Sequence, residues 1–517
     1  MKKKELPALG WCFLIAFLLL MICSRSSFLY PCNDWNDANS YFTMGKGLMN
    51  GQIIYRDLYD QKGPYLYLLY GLSYLLSNTT FYGVFFFEIL AVGVFLFSCY
   101  KIMNIFCSER VSAALLPILG AVLLASKSFY WGGAAEEFCL PLLGISLLIS
   151  IRFFRGLKDS ADAESLLPTD ASDTSLSVKQ TLVLGICAGI IMQIKYNILG
   201  FHIALGGMIF LAFLIRKEWK NLIRFCAIFV GGMLLTAVPW FIFLGVNGAL
   251  DDWYQCYVYN NVFLYSNLAE EAQSFGSRIY TLIKLLYWLI LDNLSYFAFT
   301  ILGMVYFLFT RLLKWFEKVN LIALFGLTFL GIYVGGSNLP YYAIPMMVFG
   351  VLGMAVVGRL VEFMLKSKTQ FLGRWIVAYI IVIACSLMFV FRFSTNTPFM
   401  KQDKESYFLY AFADVIEQET QNQEEEPTLV TVNCLDAGLY TIADIVPSCR
   451  FFQTNGINFQ EIFEEQEQYI KQGKTQFVLM RDDYGYPEYL EEQYRMIAQA
   501  PYTWDELEYN YALFMRK

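Results

Sequence analysis

Two aspartates lie close together in the polar stretch NDWNDANSYFTMGKGLMNGQIIYRDLYDQKGP, just after an apolar run that is long enough to cross a membrane. Asp34 and Asp37 are three residues apart, so they share a face if the segment is helical. A carboxylate held at a membrane surface can act as a general base toward an acceptor hydroxyl, or it can ligate a divalent cation. The alternative is that both residues cap helices in a solvated loop.

Three basic residues are candidates for binding an anionic phosphate group. Lys62 precedes Gly63-Pro64 at the start of a short apolar stretch, and Arg56 lies in the same loop. Lys195 interrupts a long apolar stretch in MQIKYNILGF, where the charge pattern along the chain requires a hairpin. The alternatives are that Lys62 extends to the membrane interface without a ligand and that Lys195 is an ordinary turn residue.

Adjacent glutamates and adjacent tyrosines begin two further apolar runs. Glu136 and Glu137 occur in WGGAAEEF, where the dipole of the following helix favours acidic residues and would suffice to explain them. Their side chains point in different directions, so one of them can face a cavity, and we retain both as candidate catalytic residues. Tyr341 and Tyr342 begin another run, and interfacial tyrosines commonly serve as anchors.

The composition identifies a polytopic membrane protein. The 517 residues are 57% hydrophobic and 16% charged, whereas a soluble domain carries about a quarter charged residues. The net charge of -6 gives no indication of a nucleic-acid partner. His202 is the single histidine, which excludes an all-histidine metal site, and the cysteines show no CxxC pair or zinc spacing. We assign no metal ligands, and a divalent cation is the one cofactor left open.

Apolar runs predict about 11 transmembrane helices. The N-terminal run lacks a clean cleavage site, so we interpret it as a retained first span rather than a signal peptide. Residues 64–77 and 278–287 are expected to form interfacial helices, because counting them as spans disrupts the charge pattern. The predicted spans are 8–29, 80–101, 111–126, 136–154, 181–195, 197–215, 225–246, 288–310, 319–334, 342–364 and 375–393.

Basic residues predict the orientation in the plasma membrane. Roughly half of the 38 lysines and arginines fall in loops on one side, which is the cytoplasmic side by the positive-inside rule. The N-terminus is then cytoplasmic, and the C-terminal tail is extracytoplasmic together with all the candidate site residues. Cys434 and Cys449 lie in this tail, where an oxidising environment would permit a disulfide between them.

The sequence predicts two domains. Residues 1–395 form the membrane domain, with an outer loop at 30–79 and a flexible cytoplasmic loop at 156–179. Residues 396–517 form a soluble α/β domain. In this tail, TLVTVNCL and TQFVLMR are typical of buried strands, and NFQEIFEEQEQYIKQ and PEYLEEQYRMIAQ are typical of helices.

Taken together, these features resemble the GT-C glycosyltransferases, and in particular the family 39 group that includes the protein O-mannosyltransferases and the lipid A aminoarabinose transferase. Those enzymes have an acidic residue after the first span, then an aromatic residue and a glycine, and Asp37, Tyr41 and Gly51 fit this pattern. The Lys-Pro motif of the family corresponds to Lys62-Gly63-Pro64, with one residue inserted. The acidic residue that begins the fourth span corresponds to Glu136 or Glu137. The chain departs from the family at Asp37-Ala38, where an Asp-Glu pair is usual, and at Pro340-Tyr341, where a His-Tyr motif is common.

The resemblance implies inverting sugar transfer on the outer face of the membrane. The donor would be a polyprenyl-phosphate sugar with its lipid tail between the spans, and the acceptor a cell-surface glycan, lipid or protein. Asp37 would be the base that deprotonates the acceptor, and Lys62 would hold the donor phosphate. We place Tyr41, Tyr55 and the pair Tyr341-Tyr342 in the substrate cavity.

Two other classes of protein remain as alternatives. A transporter or flippase of lipid-linked sugars also carries charged residues in its membrane domain, but such proteins usually show repeated halves and charges at the midplane. The sequence shows no such repeat, and its charges cluster in loops. A non-catalytic scaffold or sensor would leave the polar stretch after the first span unexplained.

Overall fold

The computed structural model describes residues 5–156, 176–265, 275–365, 372–454, 460–504 and 507–517. The chain folds into two compact units, and each unit is formed by three separate stretches of sequence. Unit 1 comprises Met1–Ser24, Glu88–Pro239 and Ala269–Thr397, and unit 2 comprises Arg25–Phe87, Trp240–Leu268 and Pro398–Lys517. The predicted division of the chain at residue 396 stays a prediction. The predicted loop 156–179 lies mostly outside the described residues.

Long apolar helices dominate the described part of the chain. Within it, eight helices are long and apolar enough to cross a membrane, and a ninth span results if one bent pair of helices is counted together. The eight are Leu6–Cys23, Tyr82–Met103, Ala135–Gly156, Tyr196–Ile215, Trp219–Val246, Trp315–Tyr333, Pro340–Leu365 and Trp375–Phe393. The shorter helices Glu109–Leu124 and Val178–Met192 also coincide with predicted spans. Each predicted span therefore has its helix, and the polytopic α-helical fold class is confirmed.

The bent pair corrects one predicted boundary. We predicted an interfacial helix over 278–287 followed by a span over 288–310, whereas the first helix continues to Asp292 and the chain then bends by 112°. The side chain of Asn293 lies at the bend, where its amide group donates a hydrogen bond to the carbonyl oxygen of Leu289 at 3.1 Å and its Oδ1 accepts one from the distant backbone amide of Ser128 at 3.1 Å. A side chain that bonds the backbone in this way competes with continuation of the helix.

A four-stranded sheet organises the C-terminal part of unit 2. Its strands are β1 (Leu429–Val432), β2 (Phe477–Arg481), β3 (Tyr494–Trp504) and β4 (Leu507–Arg516), in the spatial order β1-β2-β4-β3. β1 and β2 are parallel, and the helix Gln460–Lys471 lies between them in sequence, which is the arrangement that a parallel pair requires. β4 pairs antiparallel with both β2 and β3. Val430, Val478 and Phe514 are among the buried residues that form its core.

The sheet confirms most of the predicted tail and corrects the rest. Both predicted strands are present and buried, and the helix predicted over NFQEIFEEQEQYIKQ is present over its described part. The helix predicted over PEYLEEQYRMIAQ is wrong in its second half, since it ends at Gln493 and the chain continues as β3. The pairing of β3 with β4 supplies hydrogen bonds that outweigh the helical preference of this short segment. Cys434 and Cys449 are buried free thiols, so the disulfide considered from the sequence is not formed.

Two helices of unit 2 carry the polar stretch that follows the first span. They are Asn36–Met49 and Pro64–Leu76, the second of which coincides with the predicted interfacial helix. Pro64 is the first residue of its helix, where proline has no amide hydrogen to leave unbonded and its fixed φ suits the helix. The polar stretch is therefore two ordered helices and a connecting turn rather than an extended solvated loop.

Buried polar groups fasten the helix Asn36–Met49 to the tail within unit 2. The Thr43 hydroxyl donates to Asp436 Oδ2 at 2.6 Å, and Lys46 Nζ donates to the carbonyl oxygen of Tyr440 at 2.8 Å and to Asp444 Oδ1 at 2.9 Å. The Lys46 side chain is fully buried, so removing its partners would leave a costly unpaired charge.

Burial of Asp436 predicts a dependence of stability on pH. Burial raises the pKa of its carboxyl from 3.8 to about 6, although the Thr43 hydroxyl and the Gly438 amide act in the opposite direction. The folded state therefore binds this proton more tightly than the unfolded state does. The resulting stabilisation is present below about pH 4 and is lost as the pH rises through about 6.

We expect Asp436→Asn to remove this part of the pH dependence, because asparagine keeps the shape of the side chain but does not ionise. The difference between the two proteins should reach up to about 3 kcal/mol across the titration. Thermal unfolding in detergent between pH 4 and 8 measures it. Identical slopes for the two proteins would show that Asp436 does not titrate in this range.

Candidate active site

Asp37 and Lys62 flank one tyrosine in unit 2. Asp37 lies in the first turn of the helix Asn36–Met49, where the helix dipole favours a negative charge. The Tyr41 hydroxyl, one turn later, donates to Asp37 Oδ2 at 3.2 Å. Lys62 Nζ lies 5.5 Å from the centre of the Tyr41 ring, within the range of a cation–π contact. The structure thus brings together a carboxylate, a hydroxyl and an ammonium group that the sequence predicted for one site.

Two buried tyrosines hold the backbone of Lys62. The Tyr55 hydroxyl donates to the carbonyl oxygen of Lys62 at 2.8 Å, and the backbone amide of Lys62 donates to the Tyr67 hydroxyl at 2.8 Å. Tyr67 donates in turn to Asp60 Oδ2 at 2.9 Å. Tyr55 itself has a positive φ of 73°, a conformation that residues with side chains rarely adopt, so this turn is held by its surroundings. The backbone of Lys62 is therefore held by hydrogen bonds with Tyr55 and Tyr67.

Asp60 is a second carboxyl near this cluster that sequence reasoning missed. It is 5% exposed, and burial raises the pKa of its carboxyl, against the lowering effect of Lys62 and with a smaller increase from Asp37. The available signal was its place two residues before Lys62, in YDQKGP. The carboxyl groups of Asp37 and Asp60 thus lie within electrostatic range of each other and differ in burial.

Asp34 has a different environment from Asp37. Asp34 precedes the helix Asn36–Met49. The shared helical face that we considered for the two aspartates is therefore not formed. Its Oδ1 is 2.5 Å from Arg25 Nη1 in a buried ion pair, and its Oδ2 accepts a hydrogen bond from the Tyr502 hydroxyl at 2.5 Å. The Arg25 guanidinium also lies 3.6 Å from the centre of the Phe399 ring. Both carboxylate oxygens are therefore engaged by protein groups.

Arg56 lies at the surface of unit 2. Its side chain is 44% exposed and forms an ion pair with the adjacent Asp57 at 2.7 Å. It also donates to the carbonyl oxygen of Asn247 at 2.8 Å. Its contacts thus differ from those of Lys62, with which we had grouped it as a candidate phosphate ligand.

A second cluster of predicted site residues lies in unit 1. Lys195 forms an ion pair with Glu136 Oε1, and both side chains are largely buried. The Lys195 ammonium lies 3.9 Å from the centre of the Tyr342 ring and 5.4 Å from that of Tyr341. The helix Ala135–Gly156 positions Glu136 at its first turn. Four residues that the sequence placed in three separate turns are thus brought together.

Glu137 points away from this second cluster, as expected for adjacent residues on a helix. It is fully buried, and its Oε2 accepts a hydrogen bond from the Gly133 amide at 3.0 Å. Its carboxyl interacts with that of Glu88. The Ser24 hydroxyl lies 2.8 Å from one oxygen of Glu88 and 2.9 Å from the other. Of the two glutamates, Glu136 is the one that contacts Lys195.

The described residues contain no group of three or more acidic, histidine or cysteine side chains arranged to hold a metal ion. The residues missed from the sequence are Arg25, Asp60 and Tyr67. The first helix ends at Cys23, so the predicted span 8–29 is too long at its C-terminal end and Arg25 lies just beyond the helix. A basic residue there is typical of a membrane interface, so the pairing of Arg25 with Asp34 has no local sequence signal.

Solved structures with this fold were found, although no protein-family model and no curated protein matches the sequence. The crystal structure of ArnT from Cupriavidus metallidurans bound to undecaprenyl phosphate is similar, with a TM-score of 0.60 and 14% identity over 97% of this chain and 98% of that one. The chain has the GT-C fold. The apo structure of the same ArnT gives a TM-score of 0.57 at 14% identity, over 98% of each chain. The predicted GT-C architecture is thereby confirmed, and at this identity the likeness concerns the fold.

Proposed function

We propose that the protein is a membrane glycosyltransferase that moves a sugar from a polyprenyl-phosphate donor to a cell-surface acceptor. The observation that carries this proposal is the arrangement of Asp37 and Lys62 on either side of Tyr41. A fold shared with ArnT, whose structure was determined with undecaprenyl phosphate, supports the donor class. The GT-C fold and the apolar helices support a multi-pass enzyme at the membrane.

In the proposed reaction, Asp37 acts as the base and Lys62 acts on the leaving group. Asp37 accepts the proton of the acceptor hydroxyl, and the acceptor oxygen attacks the anomeric carbon of the donor sugar. The bond between the anomeric carbon and the phosphate oxygen breaks with inversion, and the polyprenyl phosphate leaves with the bonding electrons. Lys62 stabilises the negative charge that develops on this leaving group.

The environment of Lys62 supports its assignment to the phosphate. Its backbone is held on both sides by Tyr55 and Tyr67, so its ammonium is presented from a fixed turn. A preorganised cation costs little reorganisation when charge develops. Lys62 is also the predicted cation that lies beside Tyr41, the tyrosine that is hydrogen-bonded to Asp37, and we therefore assign it this role.

Substitution of Lys62 tests the donor assignment. We expect Lys62→Met to weaken the binding of undecaprenyl phosphate by about 10- to 100-fold, since a hydrogen bond to a charged group contributes about 1.5–3 kcal/mol. Lys62→Arg should retain most of the affinity because it keeps the charge. Binding of the radiolabelled lipid to the purified protein in detergent is the measurement.

Arg56→Met provides the matched control, because it removes a cation from the exposed surface of the same unit. It should leave the affinity within about twofold of the parent protein. A loss with Arg56→Met equal to that with Lys62→Met would contradict the assignment.

The flippase alternative has its own test in reconstituted vesicles. If the wild-type protein moves the lipid-linked sugar from one leaflet of the vesicle membrane to the other without transferring the sugar, the protein is a flippase instead.

We also propose that the N-terminus is cytoplasmic and that the tail, residues 396–517, is extracytoplasmic. The distribution of lysine and arginine supports this orientation. Single-cysteine variants at Ser160 and at Glu424, which is exposed, test it with a membrane-impermeant thiol reagent. In intact cells the reagent should label position 424 and reach position 160 only after the cells are opened. Labelling of position 160 in intact cells would overturn the orientation and with it the outer-face reaction.

A further inference from the structure

A cavity of about 300 Å³ lies in unit 1, at the end of the helix Ala135–Gly156 that is remote from Glu136. Glu136 is in the first turn of this helix, and Phe154, which lines the cavity, is in its last turn. At 1.5 Å per residue the two residues are about 27 Å apart, which is close to the thickness of the hydrocarbon core of a membrane. The cavity is therefore remote from the cluster of Glu136 and Lys195.

The walls of this cavity are mainly apolar and come from the ends of several helices. Phe106, Phe307 and Leu313 each lie within a few residues of a helix end. The apolar side chains that line the cavity include Phe106, Ile151, Phe154, Phe307, Leu313 and Leu321. Such walls are suited to the hydrocarbon part of a ligand.

A buried amide oxygen in the wall of the cavity has no hydrogen-bond donor. Asn320 lines the cavity and is 2% exposed. Its Nδ2 donates to Ser150 Oγ at 2.9 Å, whereas its Oδ1 has no hydrogen-bond partner in the described residues. An amide oxygen can only accept, and burying it unbonded is unfavourable. A ligand that carries an O–H group would satisfy this atom.

A guanidinium group borders the same cavity. The guanidinium carbon of Arg155 lies 4.9 Å from the centre of the Phe106 ring, and its Nη1 is buried without a hydrogen-bond acceptor in the part of the chain that the structure describes. Arg155 lies within electrostatic range of a second arginine, Arg359, and of Glu317. Glu317 Oε2 already accepts a hydrogen bond from the backbone amide of Lys314 at 2.7 Å. An anionic oxygen is the acceptor that an unbonded guanidinium N–H group binds most strongly.

These three features together define the chemistry of the ligand. The arginines fit a phosphate, the amide oxygen fits a hydroxyl group, and the walls fit an acyl chain. A phospholipid with a hydroxylated anionic headgroup combines all three. The segment RFFRGLK, which contains Arg155, belongs to the loops whose basic residues predict the cytoplasmic face, and basic pockets between helices at that face are suited to anionic headgroups.

We propose that this cavity binds an anionic phospholipid of the phosphatidylglycerol type. Its phosphate binds Arg155 and Arg359, a headgroup hydroxyl donates to Asn320 Oδ1, and an acyl chain packs against the phenylalanine and leucine walls. The site lies within unit 1, and it does not depend on the proposed sugar transfer.

Lipid binding to the purified full-length protein in detergent tests the site. The probes are phosphatidylglycerol, phosphatidic acid and phosphatidylcholine with identical acyl chains, and native mass spectrometry counts the lipids that are retained. We expect phosphatidylglycerol to bind about tenfold more tightly than phosphatidylcholine, with phosphatidic acid between them, and to raise the melting temperature. Equal affinities for phosphatidylglycerol and phosphatidylcholine, or no retained lipid, would overturn the proposal.

Arg155→Met tests the binding of the phosphate, because methionine keeps an apolar chain beside Phe106 and removes the charge. It should reduce the affinity for phosphatidylglycerol to about that for phosphatidylcholine. Arg152→Met is the matched control, since Arg152 is exposed and lies three residues earlier on the same helix. It should leave the affinity within about twofold of the parent value. Equal losses in the two variants would show a general attraction of anionic lipids to basic residues and overturn the site.

Asn320→Leu tests the binding of the hydroxyl group. It should abolish the preference for phosphatidylglycerol over phosphatidic acid and leave the affinity for phosphatidic acid within about twofold. Ser150→Ala is the matched control, because it removes the partner of Asn320 Nδ2 and keeps the unbonded Oδ1. The preference should persist in this variant. A preference that survives Asn320→Leu would overturn the assignment of the headgroup hydroxyl to Asn320.

Discussion

We expect Asp37→Asn to lose most of the sugar transfer while the protein still folds and binds the lipid phosphate. Asparagine keeps the size of the side chain and can still meet the Tyr41 hydroxyl, but it cannot take a proton from the acceptor. General-base catalysis contributes about 10²- to 10⁴-fold to a rate, and we expect a loss in that range. The measurement is transfer of labelled sugar in membranes that contain the native donor and acceptor, together with the binding of undecaprenyl phosphate to the purified variant.

The control for Asp37 is Asp251→Asn, at an exposed aspartate of the same unit, which should transfer at the parent rate. The affinity of Asp37→Asn for undecaprenyl phosphate should remain within about threefold of the parent value, because binding is assigned to Lys62. Near-normal transfer by Asp37→Asn would refute the role of Asp37, and Asp60 would then become the carboxyl to test.

We expect Asp34→Ala to unfold at a lower temperature than the parent protein, in contrast to the catalytic effect expected at Asp37. The Arg25–Asp34 pair is buried, with side-chain exposures of 3% and 5%, and Tyr502 on β3 donates to the same carboxylate. Removing one member of a buried ion pair costs about 3–5 kcal/mol, because the remaining charge stays in a poorly solvating environment. Thermal and denaturant unfolding in detergent measure the loss.

Asp57→Ala is the matched control for Asp34→Ala, since it breaks an Arg–Asp pair at the surface. The side chains of Arg56 and Asp57 are 44% and 33% exposed, and exposed pairs contribute about 0–1 kcal/mol. A loss for Asp34→Ala no larger than that for Asp57→Ala would show that the Arg25–Asp34 pair does not stabilise unit 2.

The two aspartates show how much of the candidate site the sequence could predict. Their position after the first span, and the pattern of Asp37, Tyr41 and Lys62, were readable because these residues lie close together in sequence. The difference between Asp34 and Asp37 could not be read from the sequence. It depends on Arg25 and on Tyr502, and Tyr502 lies 468 residues from Asp34 along the chain. Identical side chains three residues apart therefore have different environments.

The cluster of Glu136 and Lys195 in unit 1 likewise shows which features of a site the sequence could predict. The sequence placed Glu136, Lys195 and Tyr342 at the starts or turns of apolar runs, and the structure brings them into contact. It gave no reason to choose Glu136 over Glu137, and it gave no indication of Tyr333. A tyrosine at the end of an apolar helix is typical of an interfacial anchor. Only the packing of the helices shows that this tyrosine is buried and lies within electrostatic range of Glu136.

The sequence by itself determined the membrane class, the positions of the apolar helices and the first two strands of the tail, because the length and spacing of apolar residues are local properties. The tertiary structure decided the bend at Asn293, the strand that replaces the second half of a predicted helix, and the partner of each charged residue. Strand pairing and burial of charge depend on contacts between residues that are far apart in sequence. The free energy of a buried charge depends on which partner it meets, and that partner is supplied by the fold.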